Sequence, residues 1–247
     1  MSSPGDFDHL SGTRVVFDKG PQTWVLYEKI TEGYQTMRQD EVDAGIGNPY
    51  ATIKFACHDA AGPNQKGIMR IYIQIPITGT IARGPRARAP QAIAQRTHKE
   101  GQVLQSLTSK GYKVVPNLLG YQESIQDDEG CVPGGYINYI VWACVPGESI
   151  HDKEFWDRDQ KYRDEVRERF RESYEELKEF GWSPTFPHLG NIIFDEATKA
   201  LHISGFRFPK CIIDRSPPST DMLYAGWGLV EPSEDPDWYI NSNKWKW

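Results

Sequence analysis

The segment from 153 to 180 constrains this chain more than any other. Tyr162, Val166, Phe170, Tyr174, Leu177 and Phe180 recur at intervals of three and four, Arg and Glu fill the opposite face, and Gly181 follows. That spacing predicts one long amphipathic helix, whose apolar stripe has to be buried and whose end needs a residue at ease with positive φ. The remaining signals are mostly of strands. Short apolar stretches at 14–17, 23–28, 51–57 and 68–77 precede the helix, with Lys19-Gly20-Pro21 as a turn signal between the first two. In the fourth, Met69, Ile71, Ile73 and Ile75 alternate with Arg70, Tyr72, Gln74 and Pro76, so one face is expected in the core and the other toward a cleft or solvent. Residues 29 to 50 read as loop or poorly defined helix. A second helix is expected from 90 to 109, where Ile93, Val103, Leu104 and Leu107 repeat, then strands at 112–121 and 136–144. A hairpin follows, with strands at 191–194 and 200–203 and Asp195-Glu196-Ala197-Thr198 between them.

The 247 residues are enough for one large domain or two small lobes with a core that needs no disulfide. With 34 Asp plus Glu against 28 Lys plus Arg, a net charge of -6 and no basic block, a dedicated nucleic-acid binder is a poor reading. No apolar run is long enough to span a bilayer, and the start lacks the pattern of a secretory signal, so no membrane partner and a cytoplasmic location are expected. Cys57, Cys131, Cys144 and Cys211 are widely spaced without a C-x-x-C pair and read as buried free thiols.

The order of elements is strand, strand, helix with a central Glu, strand pair, Pro146-Gly147 hinge, long helix, Asn-bearing loop and hairpin. With Gln74-Ile75-Pro76, Val115-Pro116-Asn117-Leu118-Leu119-Gly120-Tyr121, Val132-Pro133-Gly134-Gly135-Tyr136 and Pro187-His188-Leu189-Gly190-Asn191, this order resembles the protein kinase-like fold. The similarity is closest to its aminoglycoside phosphotransferase-like branch and small fungal kinase-like relatives. The resemblance implies a two-lobed α+β protein. Residues 1–145 would form a strand-rich N-lobe with an inserted helix, and residues 146–247 a reduced, mainly helical C-lobe.

Phosphoryl transfer needs a cation on the phosphates, carboxylates and an Asn on magnesium, and a base near the acceptor hydroxyl. The resemblance places the family's nucleotide-anchoring cation near Arg70 and its ion-pair partner at Glu100. The magnesium Asn falls on Asn191 and a loop His on His188, while Phe186 stands at the catalytic Asp and Gly205 at the second metal carboxylate. Phenylalanine cannot accept a proton, and Asn is a poor lone ligand for a hard cation. Asp195 and Asp214 are the carboxylates left to compensate, and Gly45-Ile46-Gly47 is only a fragment of a nucleotide loop.

Ordinary kinase chemistry therefore reads as lost, with no metal and no cofactor expected. The inter-lobe cleft is expected to bind a small organic metabolite through Arg70, Tyr72, Gln74, Tyr139, Trp142, Phe186, Asn191, His202 and Phe206. His188 is the expected acid/base, with Glu100 or Arg207 as its charge partner, in the manner of a secondary-metabolism enzyme. The bland reading of His188 is a loop side chain held by backbone hydrogen bonds. Two alternatives stand beside this one: a noncatalytic pseudokinase scaffold that offers Trp238, Trp245 and Trp247 to a protein partner, and residual ATP-dependent phosphotransfer to a small molecule. The tail tryptophans read equally well as packing back on the body.

Overall fold

The computed structural model describes residues 7–18, 22–212 and 220–247; the Lys19-Gly20-Pro21 turn and Asp214 lie outside them. The chain is α+β and divides into a strand-rich N-terminal unit, residues 1–98 and 118–144, and a mainly helical unit, residues 99–117 and 145–247.

The first unit is one antiparallel sheet of six strands, β1 (Arg14–Val16), β2 (Thr23–Gln35), β3 (Tyr50–Asp59), β4 (Lys66–Gln74), β5 (Leu118–Ile125) and β6 (Tyr136–Ala143), in the order β1-β2-β3-β4-β6-β5. Two short helices, α1 (Gln39–Asp43) and α2 (Pro85–Arg88), lie in its connections. Strand β2 runs well beyond the apolar stretch that marks its start. Its second half is mostly exposed and follows β3 through two register shifts, so backbone pairing holds it without an apolar face. Gly45 closes α1. Its φ is +73°, Gly45 N donates to Val42 O and Ile46 N to Glu41 O, which makes this glycine a helix terminator and not part of a nucleotide loop.

One sheet face carries Trp24, Leu26, Ile53, Phe55, Met69, Ile71 and Val141, covered by Phe7, Val15 and Phe17. The other face is not open as the alternation in β4 implied. Tyr72 and Gln74 are each 1% exposed, because residues 91–98 lie over them. His98 stacks on Tyr72 with ring centroids 3.7 Å apart, and the Arg96 guanidinium sits 4.8 Å from the centre of the Tyr50 ring. The helix expected from 90 begins only at Lys99, because the preceding backbone serves the sheet instead. Gln74 Nε2 donates to Gln91 O, Ile93 N to Gln74 Oε1, and Tyr136 N to Ile93 O.

The sheet curls until its two edge strands meet. Gln122 on β5 reaches β1 with its side-chain amide, Nε2 donating to Val16 O at 3.2 Å and Oε1 accepting from Asp18 N at 2.6 Å. A side-chain amide thus takes the place of a ladder pair. Gly120 permits the approach, since a Cβ there would lie 2.4 Å from the Phe17 ring.

The second unit contains α3 (Lys99–Ser109), β7 (Glu148–Ser149), α4 (Asp152–Asp157), α5 (Gln160–Phe180), β8 (Trp182–Pro184), β9 (Ile192–Phe194), β10 (Leu201–Ile203), β11 (Pro209–Cys211) and α6 (Thr220–Trp227). The single helix expected from 153 is two. Asp159 breaks the run and caps α5, its carboxylate accepting from Tyr162 N. Val166, Phe170, Leu177 and Phe180 form the buried stripe of α5, and Gly181 ends it at φ +89°. Phe170 packs 4.9 Å from Trp227 of α6 between ring centroids. Burial of each such side chain contributes about 1.5–3 kcal/mol.

Strands β7, β9 and β10 form a three-stranded sheet, and β8 pairs with β11 as a separate ribbon. The tail packs back on this unit. Trp245 is buried with Nε1 donating to Trp238 O, and the buried Arg167 guanidinium lies over the rings of Trp247 and Phe155. Of the four cysteines only Cys57 is fully buried. Cys144 and Cys211 are exposed, the first just past the end of β6 and the second at the outer end of β11. No helix among the described residues is long and apolar enough to cross a membrane.

Candidate functional site

The residues proposed from the sequence fall into both units. Arg70, Tyr72, Gln74, Tyr139 and Trp142 belong to the first, and Glu100, Phe186, His188, Asn191, His202, Phe206 and Arg207 to the second.

In the first unit, the register pairs Ile68 with Trp142, Arg70 with Ile140 and Tyr72 with Asn138, which puts Arg70, Tyr72, Gln74 and Trp142 on one sheet face. The Arg70 guanidinium lies 5.2 Å from the Trp142 ring centre. Gln74 is committed to its structural clamp on Gln91 and Ile93. Tyr139 does not join this group. It alternates onto the opposite face, 6.3 Å from Phe17 between centroids, where burial pushes its phenol up to about 12.

In the second unit, the loop between β8 and β9 and the segment from β10 to β11 build one continuous structure. Thr185 N donates to Phe208 O at 2.8 Å, extending the β8–β11 ribbon. Phe186 and Phe208 follow on its end, 67% and 43% exposed, in an edge-to-face pair with centroids 5.8 Å apart. The Arg207 guanidinium covers Phe208 at 5.0 Å from the ring centre, while Phe206 turns inward and is buried. Phe208 is the member that sequence reasoning missed. Strand alternation would have put Phe206 and Phe208 on one face, so the pattern of residues gave no signal that one ring is buried and the other exposed.

Asn191 closes the loop from inside. It is 7% exposed, its Nδ2 donates to Phe186 O at 3.0 Å, and its backbone oxygen accepts from Ser204 N at 2.7 Å. Its amide lies over Gly205. A Cβ at 205 would stand 2.5 Å from Asn191 Cγ, and Gly205 has φ +92°. The position expected to carry a metal-binding carboxylate therefore has neither room nor backbone for one. Asp195 is engaged too: its carboxylate accepts from Thr198 Oγ1 and Ala197 N across the hairpin turn, and these bonds hold it below its usual range. Among the described residues no three His, Cys, Asp or Glu side chains converge as a metal site.

His188 is exposed, with its ring beside Gly190, and its side chain makes no hydrogen bond or ion pair among the described residues. Its main chain is held, His188 O accepting from Asn191 N at 2.9 Å, while the ring has no charge partner among the described residues. Glu100 is buried in the first turn of α3. His202 stands on the outer side of the β9–β10 hairpin with Nδ1 3.0 Å from Lys113 O, between the inward-facing Leu201 and Ile203. What the loop offers chemically is an aromatic platform, an adjacent guanidinium and an exposed imidazole on one short stretch of chain.

No protein-family model matches the sequence, and no curated protein matches it. Among solved structures the chain is similar to the kinase PK-1 of the Cydia pomonella granulovirus, at 8% identity, over 89% of this chain and 75% of that one, with a TM-score of 0.46.

Proposed function

We propose that this chain uses a kinase-like scaffold without ordinary phosphotransfer, and that its 184–208 loop structure binds a small, partly apolar organic molecule. The kinase-like assignment rests on the order of elements, with an Asn-bearing loop set between a long helix and a hairpin. The observation that carries the loss of phosphotransfer is the seat of Asn191. Its amide is spent on Phe186 O and fills the space above Gly205, so the one residue retained from a magnesium site works as a loop clamp. The exposed Phe186–Phe208 pair, flanked by Arg207, supports an organic ligand with an aromatic or planar part and an acceptor or negative charge.

His188, exposed and unengaged, is the group on this surface able to exchange protons with such a ligand, as acid or base. A cytoplasmic location and a place in secondary metabolism belong to the same proposal.

Calorimetric titration with ATP, with and without magnesium, tests the first part: no magnesium-dependent binding is expected, and its appearance would sink the proposal. A metabolite screen on the wild type, repeated on Phe186→Ala and Phe208→Ala, tests the second. Ligands that survive both substitutions unchanged do not bind here. For any converted ligand, His188→Ala should abolish turnover while leaving binding nearly intact.

A further inference from the structure

Among the described residues four arginines bury a guanidinium N–H that has no acceptor: Arg88, Arg163, Arg167 and Arg207. The first three spend other donors on oxygens, Arg88 on Ile81 O, Arg163 on Arg158 O and Gln160 Oε1, and Arg167 on Leu229 O and Asp164 Oδ1. Arg207 is different. Its Nε is the buried orphan, and the rest of its guanidinium has no hydrogen-bond or ion-pair partner among the described residues either. Native chains leave few buried donors unpaired, because such a group gives up water and gains nothing in return. This one stands at the aromatic surface itself. The Arg207 guanidinium covers Phe208, and Phe208 meets the more exposed Phe186 edge to face.

The charge of this structure has one sign. The chain carries a net charge of -6, yet residues 184–194 and 200–211, which build the loop and its ribbon, contain Arg207 and Lys210 and no Asp or Glu. The two carboxylates of the hairpin turn between these stretches are engaged, Asp195 with Thr198 and Ala197, and Glu196 through two hydrogen bonds from Arg158. We infer that the ligand of the 184–208 structure is a planar aromatic monocarboxylate, its ring on Phe186 and Phe208 and its carboxylate on Arg207. This rests on the reading of that structure as an organic-ligand site, and it names the class. A carboxylate matches the fork of a single guanidinium and takes charge-assisted hydrogen bonds from donors that have no other acceptor. A phosphate monoester asks for more donors than one side chain holds, and the nearby Asn191 amide is already spent on Phe186 O. An aromatic amine would meet like charge.

Naphthoate is the probe, titrated into the full chain and followed by chemical shifts; naphthalenemethanol and naphthylmethylamine present the same ring without charge and with a positive one. Shifts should fall within 184–191 and 205–210, and naphthoate should bind about five-fold or more tightly than the alcohol, with the amine weakest. Arg207→Gln should bring naphthoate down to the level of the alcohol and leave the alcohol nearly unchanged, whereas Phe208→Ala should weaken both. Thermal unfolding checks that each variant is folded; if Arg207→Gln is not, the three probes on the wild-type chain carry the test alone. Naphthoate binding no tighter than the alcohol, naphthoate binding that survives Arg207→Gln, or tighter binding of naphthyl phosphate overturns the carboxylate and leaves the organic-ligand reading standing. Shifts by none of the probes within 184–208 overturn both.

Discussion

Replacing Gly205 by Ala isolates the physical reason a carboxylate is missing there. The change adds one methyl group in a backbone held at φ +92°, with Asn191 Cγ and Oδ1 2.5 Å and Nδ2 2.6 Å from the new atom. Left-handed backbone costs a residue with a Cβ about 1–2 kcal/mol. The overlap then costs about 1–3 kcal/mol if it is borne as overpacking. If Asn191 instead swings away, its bond to Phe186 O is lost and the buried Asn191 amide goes unsatisfied, at about 1–3 kcal/mol. These routes are alternatives, so the total is about 2–5 kcal/mol. Urea unfolding followed by circular dichroism reads this as a lower midpoint at an unchanged slope. Gly205→Asp should cost at least as much and still not confer magnesium-dependent ATP binding. The double variant Gly205→Ala/Asn191→Ala removes the overlap and leaves the backbone term, so it should cost less than the two single changes added together. A Gly205→Ala protein within about 0.5 kcal/mol of wild type, the ordinary scatter of surface changes, would refute the steric argument and reopen position 205 to a carboxylate.

Gln74→Ala removes both ends of the clamp on Gln91 and Ile93 inside the sheet, and should destabilise by about 2–4 kcal/mol in the same assay. Gln122→Ala cuts the side-chain amide that joins β5 to residues 16 and 18, so hydrogen exchange at Asp18 should quicken while exchange in β3 and β4 is unchanged. Burial raises the Glu123 carboxyl, but hydrogen bonds from Tyr121, Thr97 and Gln95 outweigh it and hold it below its usual range. A carboxyl depressed in the folded state gives stability that is present above its unfolded value near about 4.3 and is lost as pH falls through the folded value. The melting temperature of Glu123→Gln should therefore fall less than that of wild type below about pH 4–5, and parallel acid limbs would count against the assignment.

The sequence made the elements legible where apolar residues alternate or repeat, and hid them where backbone or side-chain amides do the holding. Helix α5 was readable because one stripe of Val166, Phe170, Leu177 and Phe180 has to be covered. The second half of β2 was not, since most of its side chains are exposed and its peptide groups do the pairing with β3. The alternation in β4 was read correctly as strand and too simply as one covered face. The segment that covers Tyr72 and Gln74 does so with His98 and with main-chain groups of Gln91 and Ile93, which carry no hydrophobic signal. Tyr139 was grouped with Trp142 although the two stand three residues apart in β6, an odd spacing that puts them on opposite faces; which of the two faces is the Arg70 side follows only from the pairing with β4.

Phe186 and Gly205 read in the sequence as two independent departures from a phosphotransfer site, yet Asn191 couples them. Its amide hydrogen-bonds the carbonyl of the first and occupies the space above the second. The two departures differ in what reversal demands. Phe186 is exposed, and only its backbone oxygen takes part in the clamp, so Phe186→Asp should lose little more than the ring contact with Phe208. That contact is worth about 0.5–1.5 kcal/mol. Gly205→Asp has to move Asn191 before any carboxylate fits. A carboxylate at 186 is thus structurally cheap and one at 205 is not, and the cheap change alone supplies no second carboxylate beside Asn191. Phe186→Asp should fold close to wild type, bind no more magnesium-ATP than wild type, and weaken any ligand held on the aromatic pair. Magnesium-dependent ATP binding by this single variant would show that Asn191 is free to serve a metal, which its bond to the Phe186 carbonyl argues against.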